Sequence, residues 1–280
     1  MRGDITPVAL VTLLALLAGC PGNVQFSHVD KFGAVRSAVW LDLTVSDQQG
    51  ERTTHALMLS SKPGLCKAYK DALPELATYN ERIWELWLEY YDWDFNYYEY
   101  PDYSEWCQAY SEYWGFMADS FDKFYGPGAH SVSLYLTKVD SDGDSEWNVP
   151  PEDGTWDAMP SWMDLFTGRY VDMTVAYYNA NPFRIMADRY GVNDPVYGCF
   201  GYGEDYENDL LNAVDYYYLD EGDGSAEITM KALNKAKVEI TGGIVDEKQN
   251  SVGTMDASFT ATRCQVTIEA DAIFDLYWYF

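Results

Sequence analysis

The chain of 280 residues carries 45 Asp and Glu against 18 Lys and Arg, which gives a formal net charge of −27. This charge argues against a nucleic-acid-binding protein, because phosphate contacts need clustered Lys and Arg. Hydrophobic residues make up 48% of the sequence, which is too many for an intrinsically disordered chain and enough for a sizeable core.

An apolar run over residues 7–18 follows Arg2, and the run ends in Leu17-Ala18-Gly19-Cys20. It is shorter than the roughly 20 apolar residues of a spanning helix, and it suits a secretory signal peptide. Its last four residues resemble the lipobox of bacterial lipoproteins. The resemblance implies that residues 1–19 are a cleaved signal peptide and that Cys20 carries acyl chains such as palmitate.

Acyl chains on Cys20 attach a protein to a membrane, since each buried CH₂ contributes about 0.8 kcal/mol. Pro21 follows in place of the Asp that retains such lipoproteins at the inner membrane, so the resemblance implies the outer membrane. We expect residues 20–33 to be the lipid anchor and a tether, and residues 34–280 to form one β-rich domain. The sequence leaves open whether that domain faces the periplasm or the cell surface.

Four further cysteines are present, namely Cys66, Cys107, Cys199 and Cys264. An even number in an oxidising compartment predicts two disulfides. Of the three connectivities, Cys66 with Cys107 and Cys199 with Cys264 is the favoured one, because each bond joins neighbours within one half of the chain. A zinc site is the alternative, but no cysteine pair has C-x₂-C spacing.

Two β-rich stretches, 35–45 and 52–60, flank turn residues and predict a β-hairpin. Apolar residues recur every three or four positions over 75–92 and 103–125, which predicts two amphipathic helices. A shorter helix is expected over about 65–72, with Pro74 breaking it from the next. The expected Cys66–Cys107 bond needs this break, because a straight helix would carry Cys66 about 40 Å from the turn between the helices.

The acidic stretch 140–164 is expected to be a loop or lid, and 179–213, which carries Cys199, to be irregular. The sequence therefore predicts a β-rich α+β fold, in which an antiparallel β-sandwich or barrel has a helical hairpin, at about 64–125, inserted between its second and third strands. Further strands are predicted at 130–138, 169–178, 214–219, 225–232, 236–244 and 254–268.

Three segments are similar to parts of uncharacterised envelope lipoproteins with a disulfide-bonded β-rich domain. They are SKPGLC at 61–66, GPGAHSVSLYLT at 126–137 and MDASFTATRC at 255–264. Proteins of that kind share a hairpin, a Cys-bearing helical insert and C-terminal strands that end in a Cys. The resemblance favours the disulfides and implies no activity and no site residues.

Four acids occupy alternate positions in one predicted loop, at Asp140, Asp142, Asp144 and Glu146. Alternate oxygen atoms on a tight loop can surround Ca²⁺, and calcium is the one cofactor that the sequence suggests. The EF-hand pattern fails, because Ser145 and Pro151 stand where Gly and Glu are required. A looser calcium site and a solvated acidic turn are the two interpretations, and the turn is favoured.

Residues 79–125 hold 19 aromatics and 11 acids but only two bases. One buried stripe per helix cannot accommodate so many aromatics, so some are expected to be exposed near 91–100, the turn between the helices. Aromatic faces beside carboxylates suit sugars or cationic ligands. A thick aromatic core with solubilising acids is the simpler alternative. The candidate ligand-binding residues are Trp84, Trp87, Trp93, Tyr97 and Tyr98.

The sequence contains no Gly-x-Ser-x-Gly, His-Glu-x-x-His or P-loop motif. His55 and His130 fall in predicted strands, where a structural role is the common one. We therefore expect a lipid-anchored cell-envelope protein with a non-catalytic binding or structural role, and a glycan or an envelope protein as its partner. The alternative is a carbohydrate-binding or carbohydrate-active lipoprotein that uses the aromatic-acidic surface at 84–100.

Overall fold

The computed structural model describes residues 22–26, 35–47, 50–91, 104–160, 166–190 and 212–269. Within these residues the chain forms a β-rich α+β fold with eleven strands in one mixed sheet and three helices. The strands are β1 (Gly22–Phe26), β2 (Ser37–Asp47), β3 (Gly50–Ser60), β4 (His130–Val139), β5 (Ser145–Glu146), β6 (Gly154–Ala158), β7 (Gly168–Tyr178), β8 (Val214–Leu219), β9 (Ser225–Ala232), β10 (Lys235–Asp246) and β11 (Ser251–Glu269). The helices are α1 (Leu65–Tyr91), α2 (Ser104–Phe124) and α3 (Pro182–Tyr190).

The strand pairings return to their starting point and so form a ring. From β2 the order is β3, β4, β7, β6, β9, β10 and β11, and β11 pairs back with β2. β8 bridges β7 and β10, while β5 pairs with the end of β4. β1 pairs with residues 255–259 of β11, next to the stretch 262–269 that pairs with β2.

Two pairings among the described strands are parallel, β11 with β2 and β6 with β7. The expectation of an antiparallel sheet is therefore wrong at these two places. Antiparallel pairing follows from a tight hairpin, and no such hairpin joins either of these pairs. The predicted β2–β3 hairpin is confirmed, with Asp47 opposite Gly50.

The main hydrophobic core draws buried residues from every strand of the ring. Side chains alternate across a strand, so Val238 and Ile240 of β10 point into this core together with Phe259 of β11. Trp156 on β6 is fully buried there. The predicted loop at 140–164 thus contains a core strand, which sequence periodicity missed because β6 has only five residues.

The helices cover the opposite face of β2, β3 and β11. α1 and α2 run in opposite directions, as the Tyr69–Phe124 ring contact and the Arg82–Glu112 ion pair show together, and α3 packs against α2. Among the described residues, no helix combines the length and apolarity that a bilayer span needs. The second core includes Leu65, Tyr69, Leu73, Tyr113, Met117 and Phe121 from the helices and Leu41, Met58 and Val266 from the sheet.

The predicted helix break at Pro74 is wrong, because α1 runs without interruption from Leu65 to Tyr91. A proline inside a helix removes one hydrogen bond to the carbonyl four residues earlier, here that of Lys70. Both Lys70 and Pro74 are exposed, so water can solvate the freed carbonyl. The buried residues Leu73 and Leu76 keep the helix attached on its other face.

Cys66 is bonded to Cys264, so the expected pairs Cys66–Cys107 and Cys199–Cys264 are wrong. The unbroken helix is the physical reason. Cys107 lies near the start of the antiparallel α2, about 30 Å from Cys66 at 1.5 Å per residue. Cys107 is also disulfide-bonded.

Two segments contain elements that the sequence patterns do not predict. The predicted tether at 20–33 includes β1, whose backbone is paired with β11 in register from Gly22 opposite Phe259 to Phe26 opposite Met255. The segment 179–213, expected to be irregular, includes α3.

Candidate functional site

A buried carboxylate lies on the core-facing side of β2. Asp42 is 2% exposed and follows the buried apolar residues Ala38 and Trp40 on the same face of the strand. The β2–β3 register places His55 directly opposite Asp42. The parallel β11 brings Arg263 beside Trp40, one inward position earlier on β2. We call these four residues, Trp40, Asp42, His55 and Arg263, the Asp42 site.

Both oxygen atoms of Asp42 accept hydrogen bonds. His55 Nδ1 lies 2.8 Å from Oδ1, and Arg263 Nε donates to Oδ2. The Arg263 guanidinium also lies 5.0 Å from the ring centroid of Trp40, which is a cation–π distance. These contacts hold the two side chains in fixed orientations.

Burial of the Asp42 carboxyl acts to raise its pKa, but the hydrogen bonds and charges of His55 and Arg263 outweigh burial, so the pKa of Asp42 lies below its usual value. Asp42 is therefore an anion over the whole physiological pH range. A buried anion is tolerated only when it is paired and hydrogen-bonded, and the site meets both conditions.

The site presents side-chain nitrogen atoms that this network leaves unused, and those of Arg263 and Trp40 are N–H donors. Among the described residues, neither His55 Nε2 nor the two terminal nitrogens of Arg263 have a hydrogen-bond partner. Their side chains are 15% and 36% exposed, so solvent and small ligands can reach them. Trp40 Nε1 is buried without a partner in the described part of the chain. The chemistry that fits is binding of an oxygen acceptor.

The segment after β5 borders the site. The carbonyl of Asn148 accepts the backbone N–H of His55 at 3.1 Å, and the N–H of Val149 donates to Leu136. Asn148 has φ 54°, a left-handed conformation that Asn adopts more readily than most residues. The preceding Trp147 is 54% exposed. An exposed aromatic ring therefore lies one residue from a backbone contact of the site.

Three acids of the calcium candidate, Asp140, Asp142 and Asp144, lie in the turn between β4 and β5, and the fourth, Glu146, belongs to β5. Asp140 Oδ1 accepts the N–H groups of Asp142 and Asp144, at 2.9 and 3.1 Å. Glu146 lies opposite Lys138 in the β4–β5 pair. In the described part of the chain, no group of three or more His, Cys, Asp or Glu side chains is placed to bind a metal ion.

Most of the aromatic-acidic candidates lie beyond what the structure describes. Trp84 is half-buried on α1. Trp87 belongs to α1, but its side chain is outside the described residues, as are Trp93, Tyr97 and Tyr98. In the described parts of α1 and α2, buried aromatics such as Tyr113 and Phe121 belong to the core between helices and sheet. Cys20 and Cys199 also lie outside the described residues.

The Asp42 site does not emerge from the sequence patterns, which favour a structural role for His55. One signal was available, since Asp42 interrupts the run Val39-Trp40-Leu41-Asp42-Leu43 at an inward position of a strong strand. The partner Arg263 follows 221 residues later, and only the β11–β2 pairing brings it there. Comparison of the chain with protein-family models, with curated proteins and with solved structures finds no match.

Proposed function

We propose that this chain is a lipid-anchored cell-envelope protein that acts by binding rather than by catalysis. The Cys66–Cys264 disulfide supports the envelope location, because a bond of this kind persists in oxidising compartments. The lipobox-like sequence at 17–20 supports the anchor on Cys20 and delivery to the outer membrane.

In this proposal the scaffold, residues 34–280, is a single β-barrel rather than a sandwich, with a helical hairpin inserted at about 64–125. The ring of pairings that closes from β11 to β2 supports the barrel. β3 and β4, which flank the helices in sequence, pair directly with each other. This adjacency supports an insertion that leaves the sheet and returns to the neighbouring strand.

The anchor is tested by feeding cells labelled palmitate. We expect the label to be incorporated into the wild-type protein and to be absent from Cys20→Ser. Cys107→Ser is a matched control, because it removes a cysteine without touching the lipobox and should keep the label. Label that persists in Cys20→Ser would refute the anchor.

The binding function rests on one observation, the fixed but unused terminal N–H groups of Arg263, which lie beside His55 at the partly exposed side of a buried anion. Such donors suit a ligand with oxygen acceptors. The chain carries a charge of −27, which repels anions at long range, so a neutral hydroxyl-bearing ligand fits better than an anion. The exposed Trp147 adds an aromatic face of the kind that stacks on sugar rings.

A glycan array with the soluble chain, residues 21–280, tests this function. We expect binding that is lost in Arg263→Gln and weakened in Arg263→Lys, because Lys lacks the planar fork that can bond Asp42 and a ligand together. Lys248→Gln, which changes an exposed cation on a distant turn, is the control. Binding that is indifferent to Arg263 would exclude the Asp42 site.

The alternative is carbohydrate binding or processing at the aromatic-acidic surface of residues 84–100. The aromatic and acidic residues of this segment support the alternative, and the half-buried Trp84 next to the exposed Glu85 is compatible with it. The same array separates the two surfaces. Loss of binding in Trp87→Ala and Trp93→Ala, with Arg263→Gln unaffected, would assign the ligand to residues 84–100.

A further inference from the structure

The tip of the β9–β10 hairpin is a basic surface on a strongly acidic protein. Residues 231–237 contain Lys231, Lys235 and Lys237 and no acid. Between them stands Leu233, whose side chain is 92% exposed. We call residues 231–237 the basic hairpin. Lysines are attracted to anionic lipid head groups, and an exposed apolar side chain can enter the boundary between head groups and acyl chains.

The lysines point away from the core. On β10, Ala236 and Val238 are fully buried, and the alternation of the strand therefore places Lys235 and Lys237 on the outer face. Lys237 pairs with Glu239 at 2.8 Å. Among the described residues, Lys231 and Lys235 have no carboxylate partner, so at least two positive charges remain for a ligand.

The basic hairpin lies against the middle of β11. Lys235 is opposite Thr262, Lys237 is opposite Thr260, and the N–H of Arg263 donates to the carbonyl of Asn234 at 2.9 Å. The basic hairpin is therefore held beside residues 260–263 of β11.

β1 pairs with the other edge of β11, at residues 255–259, which adjoin residues 260–263. Gly22, the first residue of β1, is opposite Phe259. Cys20 is two residues before Gly22, so the covalent chain limits the separation of their Cα atoms to about 7 Å. Val238 of β10 is opposite the same Phe259, so Gly22 lies about 10 Å, twice the strand spacing, from the residue that follows the basic hairpin. The described start of β1 thus lies near the basic hairpin, two residues after the position proposed for the anchor.

We propose that the basic hairpin is the surface with which this protein docks on a bilayer of anionic lipids, with Leu233 in the interfacial region and the lysine ammonium groups at the phosphates. The inference rests on the lipid anchor proposed for Cys20. The anchor holds the hairpin at the bilayer, and an anionic surface repels the acidic remainder of the chain. Charge and anchor together therefore select one orientation.

The test uses the full lipidated chain in vesicles of equal parts phosphatidylcholine and phosphatidylglycerol. A nitroxide label is placed at Leu233→Cys or, as a matched control, at Lys248→Cys in the exposed turn at the other end of the β10–β11 pair. We expect the label at 233 to be shielded from a water-soluble relaxation agent and the label at 248 to remain accessible. Equal accessibility at the two positions would overturn the docking proposal.

A charge variant tests the role of the lysines. With the label at 233, Lys231→Gln with Lys235→Gln should lower the ratio of docked to undocked protein roughly 25-fold, since each lysine near an anionic surface is worth about five-fold. Vesicles of pure phosphatidylcholine should have a similar effect. Shielding that survives both changes would refute electrostatic docking.

Failure of the anchor gives a different result. If Cys20 carries no lipid, the chain does not sediment with vesicles and palmitate labelling is negative, which overturns the anchor and with it the docking. If the lipidated chain sediments with vesicles and position 233 stays accessible, the anchor stands and the docking surface alone is wrong.

Discussion

Cys66, in the first turn of α1, is bonded to Cys264 in β11 with the Cα atoms 5.6 Å apart, although 198 residues separate them in sequence. The bond joins the helical layer to the strand that closes the ring of pairings. It therefore crosslinks the first and last thirds of the protein.

The disulfide should be a large contribution to stability. Loop-closure entropy for a separation of 198 residues corresponds to about 5 kcal/mol, less any strain. We expect Cys66→Ser to lower the free energy of unfolding by up to this amount in urea denaturation under oxidising conditions. Cys264→Ser and the double variant should lose the same amount as Cys66→Ser. Additive losses in the double variant would contradict a single shared bond.

The second disulfide is predicted to join Cys107 to Cys199. Cys107 is bonded, Cys66 and Cys264 occupy each other, and Cys20 is assigned to lipid in our proposal. Peptide mapping of the non-reduced mature protein should therefore find two linked pairs and no free thiol. A peptide that links Cys107 to Cys20 would refute both this pairing and the lipid anchor.

Asp42→Asn should destabilise the fold by about 2–3 kcal/mol. The amide keeps the shape but loses the charge that two charge-assisted hydrogen bonds need, while the partly exposed Arg263 remains solvated. Asp256→Asn, an exposed position on β11, is the matched control and should change stability by no more than about 0.5 kcal/mol. If Asp42→Asn lowers the free energy of unfolding no more than Asp256→Asn does, the Asp42 network contributes nothing to stability.

His130 should make stability fall between pH 6.5 and pH 4. Burial lowers the pKa of His130 from its usual 6.5 to about 4, so over that interval the unfolded state binds a proton that the folded state does not. The free energy of unfolding therefore has its full value above pH 6.5 and is lower by about 3 kcal/mol at pH 4. His130→Gln should flatten this interval in urea titrations at different pH values.

Protonation of Asp42 affects the free energy of unfolding at lower pH than protonation of His130 does. Its folded-state pKa lies below the ordinary 3.8, so its contribution is present above that pH and is lost as the pH falls further. Asp42→Asn should therefore remove part of the acid limb below pH 4 and leave the His130 interval unchanged. A change between pH 6.5 and pH 4 in Asp42→Asn would contradict this separation.

Local patterns in the sequence predicted nearly all the long elements. The period-two alternation of β10 and the three-to-four-residue spacing of α2 each reflect one buried face, and a buried face is visible in any single segment. β6 and α3 were missed because they are short. The predicted break at Pro74 is wrong because it considers only the local hydrogen bond that proline removes. The packing of Leu73 and Leu76 that keeps α1 continuous is a tertiary contact.

By itself, the sequence determined the β-rich α+β class, the β2–β3 hairpin, the two long helices and the acidity of the chain. Only the tertiary structure decided which cysteine meets Cys66 and which residues surround Asp42. The physical reason is sequence distance. The partners Cys264 and Arg263 reach β2 and α1 through one parallel pairing of β11 with β2, and no local periodicity encodes a contact between strands some two hundred residues apart.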